Sequence, residues 1–251
     1  MTKIDLNCDM GESFGAYNLG NDAALMPFIT SANIACGLHA GDPRVMDATV
    51  RLAREHGVAI GAHPGYPDLQ GFGRRNMQLT AEEVEVFILY QVSALAGFAR
   101  AAGVELSHVK AHGALYNQAA KDHTLAAAVA RGVARFSRQL ILVGLAGSLL
   151  VEAGVESGLR TAAECFADRV YNLDGSLRSR SLPGALIDSP QASLAQALRL
   201  VRSGVSITRN EISSNFKVDT LCVHGDNTQV LAILQALRPG LEQAGIEVSR
   251  L

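Results

Sequence analysis

Lys and Arg never gather into a run in this chain, and the formal net charge is only −2, so neither a phosphate backbone nor an anionic membrane is the expected partner. Charged residues amount to 18% against 48% hydrophobic. That is too little charge for a disordered polypeptide and enough apolar surface for a core. The four cysteines, Cys8, Cys36, Cys165 and Cys222, show no C-x-x-C spacing. That spacing disfavours a disulfide framework or zinc ribbon, and small buried hydrophobes are expected instead, although Cys36 could act as a thiol near His39. There is no G-x-x-x-x-G-K-[ST] and no G-x-G-x-x-G opening a helix, so any ATP contact must be made another way. G-x-S-x-G and H-E-x-x-H are missing too, which disfavours a common serine hydrolase and a compact zinc signature. The longest apolar stretch, 140–151, is interrupted by glycine and serine and falls short of the roughly 20 residues that span a bilayer. The first residues lack the apolar core of a signal peptide, and a soluble cytoplasmic protein is expected.

What the chain does have is one repeated phrase: a short apolar run followed at once by a polar side chain. Asp9 ends the run that starts at Lys3, His39 follows Ser31 to Cys36, and His63 follows Val58 to Ala62. His112 comes just after Val109, and His224 just after Asp219 to Val223, with Asp226 two residues on. Runs at Leu140 to Ala146 and Thr161 to Phe166 complete the series, the latter containing Glu164. Helical segments alternate with them. Asp42-Pro43 reads as an N-cap and first-turn proline for a helix to about Gly57, and Thr80 with Glu83 as a capping box for a helix to about Gly103. Further helices are expected from about Asp122 to Arg138, up to Gly158, from Ser189-Pro190 to about Gly204, and from Thr228 to Ala244. Two long loops, 65–75 and 171–187, lie between them. Seven or eight strand–helix units across 251 residues predict one domain, an α/β fold of the β/α-barrel (TIM-like) kind, seven-stranded and irregular. An open doubly wound sheet is the alternative.

In a barrel the polar strand ends meet at one rim, where such folds keep their chemistry. Asn7 and Asp9 share a strand face and leave strand one together, next to a loop carrying Glu12; Lys110 and His112 likewise emerge side by side. Imidazoles and carboxylates in one place suit a borderline divalent metal or acid–base work near neutral pH. Lys110 inside an apolar run requires an acid or an anionic substrate, or else a structural salt bridge, with Glu164 as the candidate partner. Arg74, Arg75, Arg169 and Arg180, all in long loops, could clamp carboxylate or phosphate or remain solvated. His56, His108 and His123 lack the strand-end position and are read as structural.

The strings DLNCDMGESFG at 5–15, NIACGLHAGD at 33–42, GAHPGYPD at 61–68 and GFGRR at 71–75 resemble the LamB/YcsF family. VKAHGALYN at 109–117, ECFADR at 164–169, DGSL at 174–177 and CVHGD at 222–226 extend the likeness to the final helix. One departure is Ala111, where the family usually has proline between the lysine and the histidine. The resemblance implies a barrel akin to those of carbohydrate deacetylases, with a divalent metal in the barrel mouth held by Asp9, His39 and His63. It also implies the A component of a bacterial 5-oxoprolinase that works with subunits B and C. Such an enzyme opens the lactam of 5-oxo-L-proline to glutamate with ATP, accompanied by Mg2+, as co-substrate. The catalytic set expected is Asp9, His39, His63, Lys110, His112, Glu164 and His224. Asn7, Glu12, Arg74, Arg75, Arg169 and Arg180 are expected to meet substrate or phosphate. A stand-alone metal-dependent deacetylase or amidohydrolase, and a non-catalytic substrate-binding component, are the alternatives.

Overall fold

The computed structural model describes residues 2–172, 175–180, 182–203, 217–224 and 228–251. Seven parallel strands close into a barrel: β1 (Thr2–Met10), β2 (Ser31–Ala35), β3 (Ala59–His63), β4 (His108–Lys110), β5 (Ile141–Leu145), β6 (Arg160–Phe166) and β7 (Thr220–Val223). They pair in chain order, and β1 closes the ring by pairing with β7 through Asp5–Cys8 and with β2 through Asn7–Met10. Closure settles against the open sheet, because every strand end is now carried to one rim. A short eighth strand, β8 (Ile246–Val248), which the sequence pattern did not suggest, pairs with the start of β1.

Helices α1 (Asp22–Leu25), α2 (Pro43–Glu55), α3 (Ala81–Ala101), α4 (Gly113–Ala119), α5 (His123–Phe136), α6 (Leu149–Glu156), α7 (Pro190–Ser203) and α8 (Val230–Gln243) follow the strands. Local chemistry sets several of their starts. Asp42 accepts from the Arg44 and Val45 amides, Asp122 from that of Leu125, and Thr80 and Glu83 form the full capping box. Helices α1 and α4 were not anticipated as helices: each is a single short segment between polar residues, too brief to show an apolar period. Pro239 lies inside α8 without ending it. Among the described residues, α3 rather than 140–151 is the segment long and apolar enough by length and composition to cross a bilayer. Here it packs on α5 and β3, burying Val84, Ile88, Val92 and Leu95.

Alternation along β1 explains the layering. Ile4, Leu6, Cys8 and Met10 are buried in the apolar shell between strands and helices, whereas Asp5, Asn7 and Asp9 point into the barrel. The interior is largely polar. Asn7 donates to Glu164 of β6 at 3.0 Å and to Thr220 of β7 at 2.6 Å, and accepts from Asn33 of β2 at 2.8 Å. His108 sits beside them with Nε2 at 2.8 Å from Asn33, in space that only Gly61 leaves open; a Cβ there would lie 2.1 Å from the imidazole. A small apolar group, Ile141, Val143 and Ala162, fills the β5–β6 side. Burial holds His108 neutral, its pKa pushed down to about 3 with help from Lys110.

Candidate active site and metal centre

The polar interior rises into a pocket of about 540 Å³ at the C-terminal rim of the strands. Its floor is a charged group. The Lys110 ammonium lies 2.9 Å from Asp9 Oδ1 and 3.0 Å from Glu164 Oε1, all three residues being almost wholly buried. Tyr116 donates to the other Glu164 oxygen at 2.7 Å. Burial by itself would neutralise the ammonium, but Asp9 and Glu164 hold its pKa well above the usual lysine value. Asp9, which burial would push up, is held well below the carboxylate range by His63 and Lys110. Asp9 and Lys110 therefore persist as an ion pair at neutral pH.

Above the floor stands an imidazole group. His63 donates from Nδ1 to the Lys110 carbonyl at 2.7 Å, and His112 donates from Nε2 to the Phe72 carbonyl at 2.8 Å. The nitrogens left over, His63 Nε2 and His112 Nδ1, face each other at 3.0 Å. Rings tethered in this way point their remaining nitrogens at one another, which favours a proton or a metal ion between them. His39 stacks on His112 with centroids 3.7 Å apart, and neither of its buried ring nitrogens has a hydrogen-bond partner among the described residues. Glu12 Oε1 lies 3.5 Å from both His39 Nε2 and His112 Nδ1. Burial first, and then neighbouring imidazoles, keep His39 and His112 well below the ordinary histidine pKa, in the neutral form that ligates metals.

One donor from each of Glu12, His39, His63 and His112 falls within 4.8 Å of the others. Bonds of about 2.0–2.1 Å at tetrahedral angles place neighbouring ligand atoms about 3.3 Å apart, so this donor set fits a divalent ion such as zinc. Asp9, Cys222 and His224 also gather within 4.8 Å. There, however, Lys110 Nζ already lies 2.9 Å from Asp9 and 3.0 Å from Cys222 Sγ, and burial pushes the thiol pKa well up. The chain supplies its own cation at that position.

The opposite wall carries a histidine–aspartate pair and arginines. His224 donates from Nδ1 to Asp168 at 3.1 Å and from its backbone amide to the same carboxylate at 3.0 Å, while its ring stacks on Phe166. Asp168 is held below the usual carboxylate range, the His224 contacts overcoming burial. Arg74, Arg169, Arg178 and Arg180 line the same pocket. Arg169 is nearly buried and donates to the Arg178 carbonyl at 2.6 Å; burial and then Arg180 bring its pKa down to about 10. A concave site with this many guanidinium groups is suited to anions.

Of the residues singled out from sequence, Asp9, Glu12, His63, Arg74, Lys110, His112, Arg169, Arg180 and His224 line the pocket, with His39 packed behind it on His112 and Glu164 beneath it. Glu12 and His112, rather than Asp9, fall with His39 and His63 in the four-residue cluster; Asp9 keeps Oδ1 on Lys110 at 2.9 Å and has Oδ2 3.4 Å from His63 Nε2. Asn7 lies deeper, fully committed to interior hydrogen bonds, so its contact is with Glu164 rather than with a pocket ligand. Arg75 is not in the pocket: its guanidinium is two-thirds exposed and pairs with Asp68. Asp226, with Asp174 and Gly225 of the quoted strings, lies outside the described residues. His123 is exposed beside Glu156, and Cys36 is buried with its thiol pushed up to about 12. Asn33, His108, Tyr116, Asp168, Phe166 and Arg178 were not in the expected set. Asp168, directly after a strand, carried the same signal as Asp9 and could have been found.

The chain matches the model of the LamB/YcsF family over residues 4–251. It is 58% identical over 248 residues to a protein of Chloroflexus aggregans named as the A subunit of 5-oxoprolinase, with 99% of this chain and 98% of that one aligned. The crystal structure of a lactam utilization protein from Thermus thermophilus superposes with a TM-score of 0.92 at 45% identity, covering all of both chains. A peptidoglycan N-acetylglucosamine deacetylase domain from Eubacterium rectale shares the fold, with a TM-score of 0.54 at 10% identity over 100% of this chain and 88% of that one.

Proposed function

The chain belongs to the LamB/YcsF family, and from that premise we propose that it is the A subunit of a 5-oxoprolinase, opening the lactam of 5-oxo-L-proline to L-glutamate at the expense of ATP. The observation that carries this reading is the meeting, in one pocket, of an ionised acid–ammonium floor, an imidazole cluster and an arginine wall. An unstrained lactam is a poor electrophile. Phosphorylating its oxygen from ATP makes the ring carbon reactive; water adds there, the carbon–nitrogen bond breaks as the nitrogen takes a proton, and a second water releases phosphate from the resulting acyl phosphate.

The residues divide this work. Arg169, Arg178, Arg180 and Arg74 receive the substrate carboxylate and the phosphoryl group, whose negative charge four guanidinium groups can match. Asp9, kept ionised, accepts a proton from the attacking water. His224, its Nδ1–H committed to Asp168, has a bare Nε2 that can take up the proton released from the water and pass it to the departing nitrogen. Lys110 keeps Asp9 charged and pairs with Glu164 beside it. Glu12, His39, His63 and His112 would hold a divalent ion, which when bound supplies a Lewis acid for the carbonyl or an activated water.

The test is glutamate release from 5-oxoproline, measured with and without Mg-ATP, for the chain alone and with subunits B and C. Release that requires ATP and all three subunits is expected. ATP-independent release by the chain alone would overturn the reading in favour of a stand-alone metal-dependent amidohydrolase, the alternative that the imidazole cluster favours. Full turnover after Asp9 and His39 are both replaced would reduce the chain to a binding component.

A further inference from the structure

Phe72 is the one non-glycine residue with a positive φ, 54°, among those described, and it lies in the loop between β3 and α3 directly over the imidazole cluster. A phenylalanine rarely adopts that conformation without a compensating contact. Its carbonyl supplies one, accepting the His112 Nε2 proton at 2.8 Å. Its ring stands edge-on to both stacked imidazoles, 5.8 Å from His39 and 5.2 Å from His112, with the Arg74 guanidinium 4.8 Å above it.

The neighbouring residues fasten the loop. A Cβ on Gly73 would come within 2.8 Å of both His39 and His112, so the Gly73 backbone lies flat against the two rings. The Gly73 amide donates to the Asp68 carbonyl at 2.9 Å, and its own carbonyl accepts from Ala114 at the start of α4 at 2.9 Å. The Asp68 carboxylate takes the Gly71 amide at 3.0 Å and the Arg75 guanidinium. Arg75, placed outside the pocket, therefore helps anchor the loop.

On the reading that Glu12, His39, His63 and His112 hold a divalent ion, we propose that the strap 71–73 is a positioning device for that centre. By presenting the Phe72 carbonyl it fixes His112 as the Nε2-protonated tautomer and aims the bare Nδ1 at His63 and Glu12. A histidine ligand generally needs its second nitrogen held in this manner, and loss of the holding group costs about 10- to 100-fold in metal affinity. Here the holder is a backbone carbonyl, so the side chain of residue 72 is dispensable for the role while the strap's path is not.

The experiment is equilibrium dialysis of the full-length chain with Zn2+ alone and with Co2+ alone, joined to 15N NMR of the histidine tautomers in metal-free protein. Wild type should bind one ion per chain and show His112 protonated at Nε2. Gly73→Ala should lose about 10- to 100-fold in affinity and the single tautomer. Asp68→Ala should shift both readouts the same way, more weakly. Phe72→Gly, which keeps the carbonyl and tolerates positive φ, should stay near wild type. Circular dichroism checks folding, and if Gly73→Ala does not fold, Asp68→Ala and Phe72→Gly decide. Wild-type affinity and tautomer in Asp68→Ala or in folded Gly73→Ala, or a collapse in Phe72→Gly, would overturn the proposal. Absence of ion binding by wild type would instead overturn the metal reading, with the tautomer still reporting on the strap.

Discussion

At the floor of the pocket Lys110 stands between Asp9 and Glu164 at 2.9 and 3.0 Å; at the rim His39, His63 and His112 turn bare nitrogens toward Glu12 and one another. The two groups are built on neighbouring strand ends and share His63, whose Nδ1 is tied to the Lys110 carbonyl and whose Nε2 lies 3.4 Å from Asp9. They differ in where the positive charge comes from. The floor contains its own, in ion pairs that form as the chain folds. The rim presents imidazole and carboxylate donors suited to an ion taken from solution, so its occupancy can vary while the fold persists. A lysine at a strand end and a histidine two residues later thus serve different ends.

The largest effect that would test this contrast is at the floor. Lys110→Met leaves two buried carboxylates facing each other, and removing one partner of a buried ion pair costs about 3–5 kcal/mol. Urea unfolding should show that loss together with the disappearance of glutamate formation; an unchanged midpoint would mean that the floor is not a folding element. At the rim, His39→Ala should lower Zn2+ affinity by at least about 100-fold, since loss of a supporting group alone reaches that range. The metal-free unfolding midpoint should move far less than for Lys110→Met, and equal shifts in both would erase the distinction. Asp168→Asn leaves both groups intact but loosens His224, and should reduce kcat about 10- to 100-fold with KM for 5-oxoproline little changed. A rise in KM alone would assign His224 to binding.

The smallest expected effect is a pH slope from beneath the floor. His108 is held neutral down to about 3, against 6.5 for an ordinary histidine. The unfolded chain takes up that proton below 6.5 and the folded chain does not, so this contribution is complete above 6.5 and is lost as pH falls toward 3. The loss is about 1.4 kcal/mol per pH unit in that window. Urea midpoints of metal-free protein at pH 7.5 and 5.5 should therefore differ less for His108→Gln than for wild type. Identical slopes would show that His108 is not the group responsible.

Much of the scaffold was legible from local pattern. The seven barrel strands, the caps at Asp42 and Thr80 and the helix start near Asp122 fall where apolar runs and polar residues place them, because those signals act over a few residues. Strand-end position also pointed to Asp9, His63, His112 and His224 as pocket residues. The same rule passed over His108, which begins its strand and therefore points into the lower interior, and it grouped Arg75 with Arg74 although only the latter turns inward.

The order of strands and helices, their starting caps and the supply of imidazole, carboxylate and ammonium at the strand ends were determined by the sequence itself, through backbone propensity and the two-residue alternation of a strand. Which nitrogen of each imidazole stays bare, which carboxylates Lys110 neutralises and which arginine faces the pocket were decided only by the closed barrel. Those choices depend on hydrogen bonds such as Asn7 to Glu164, 157 residues apart, and on a carbonyl delivered by a left-handed Phe72. No local pattern encodes such partners, because their geometry exists only once β1 has met both β2 and β7.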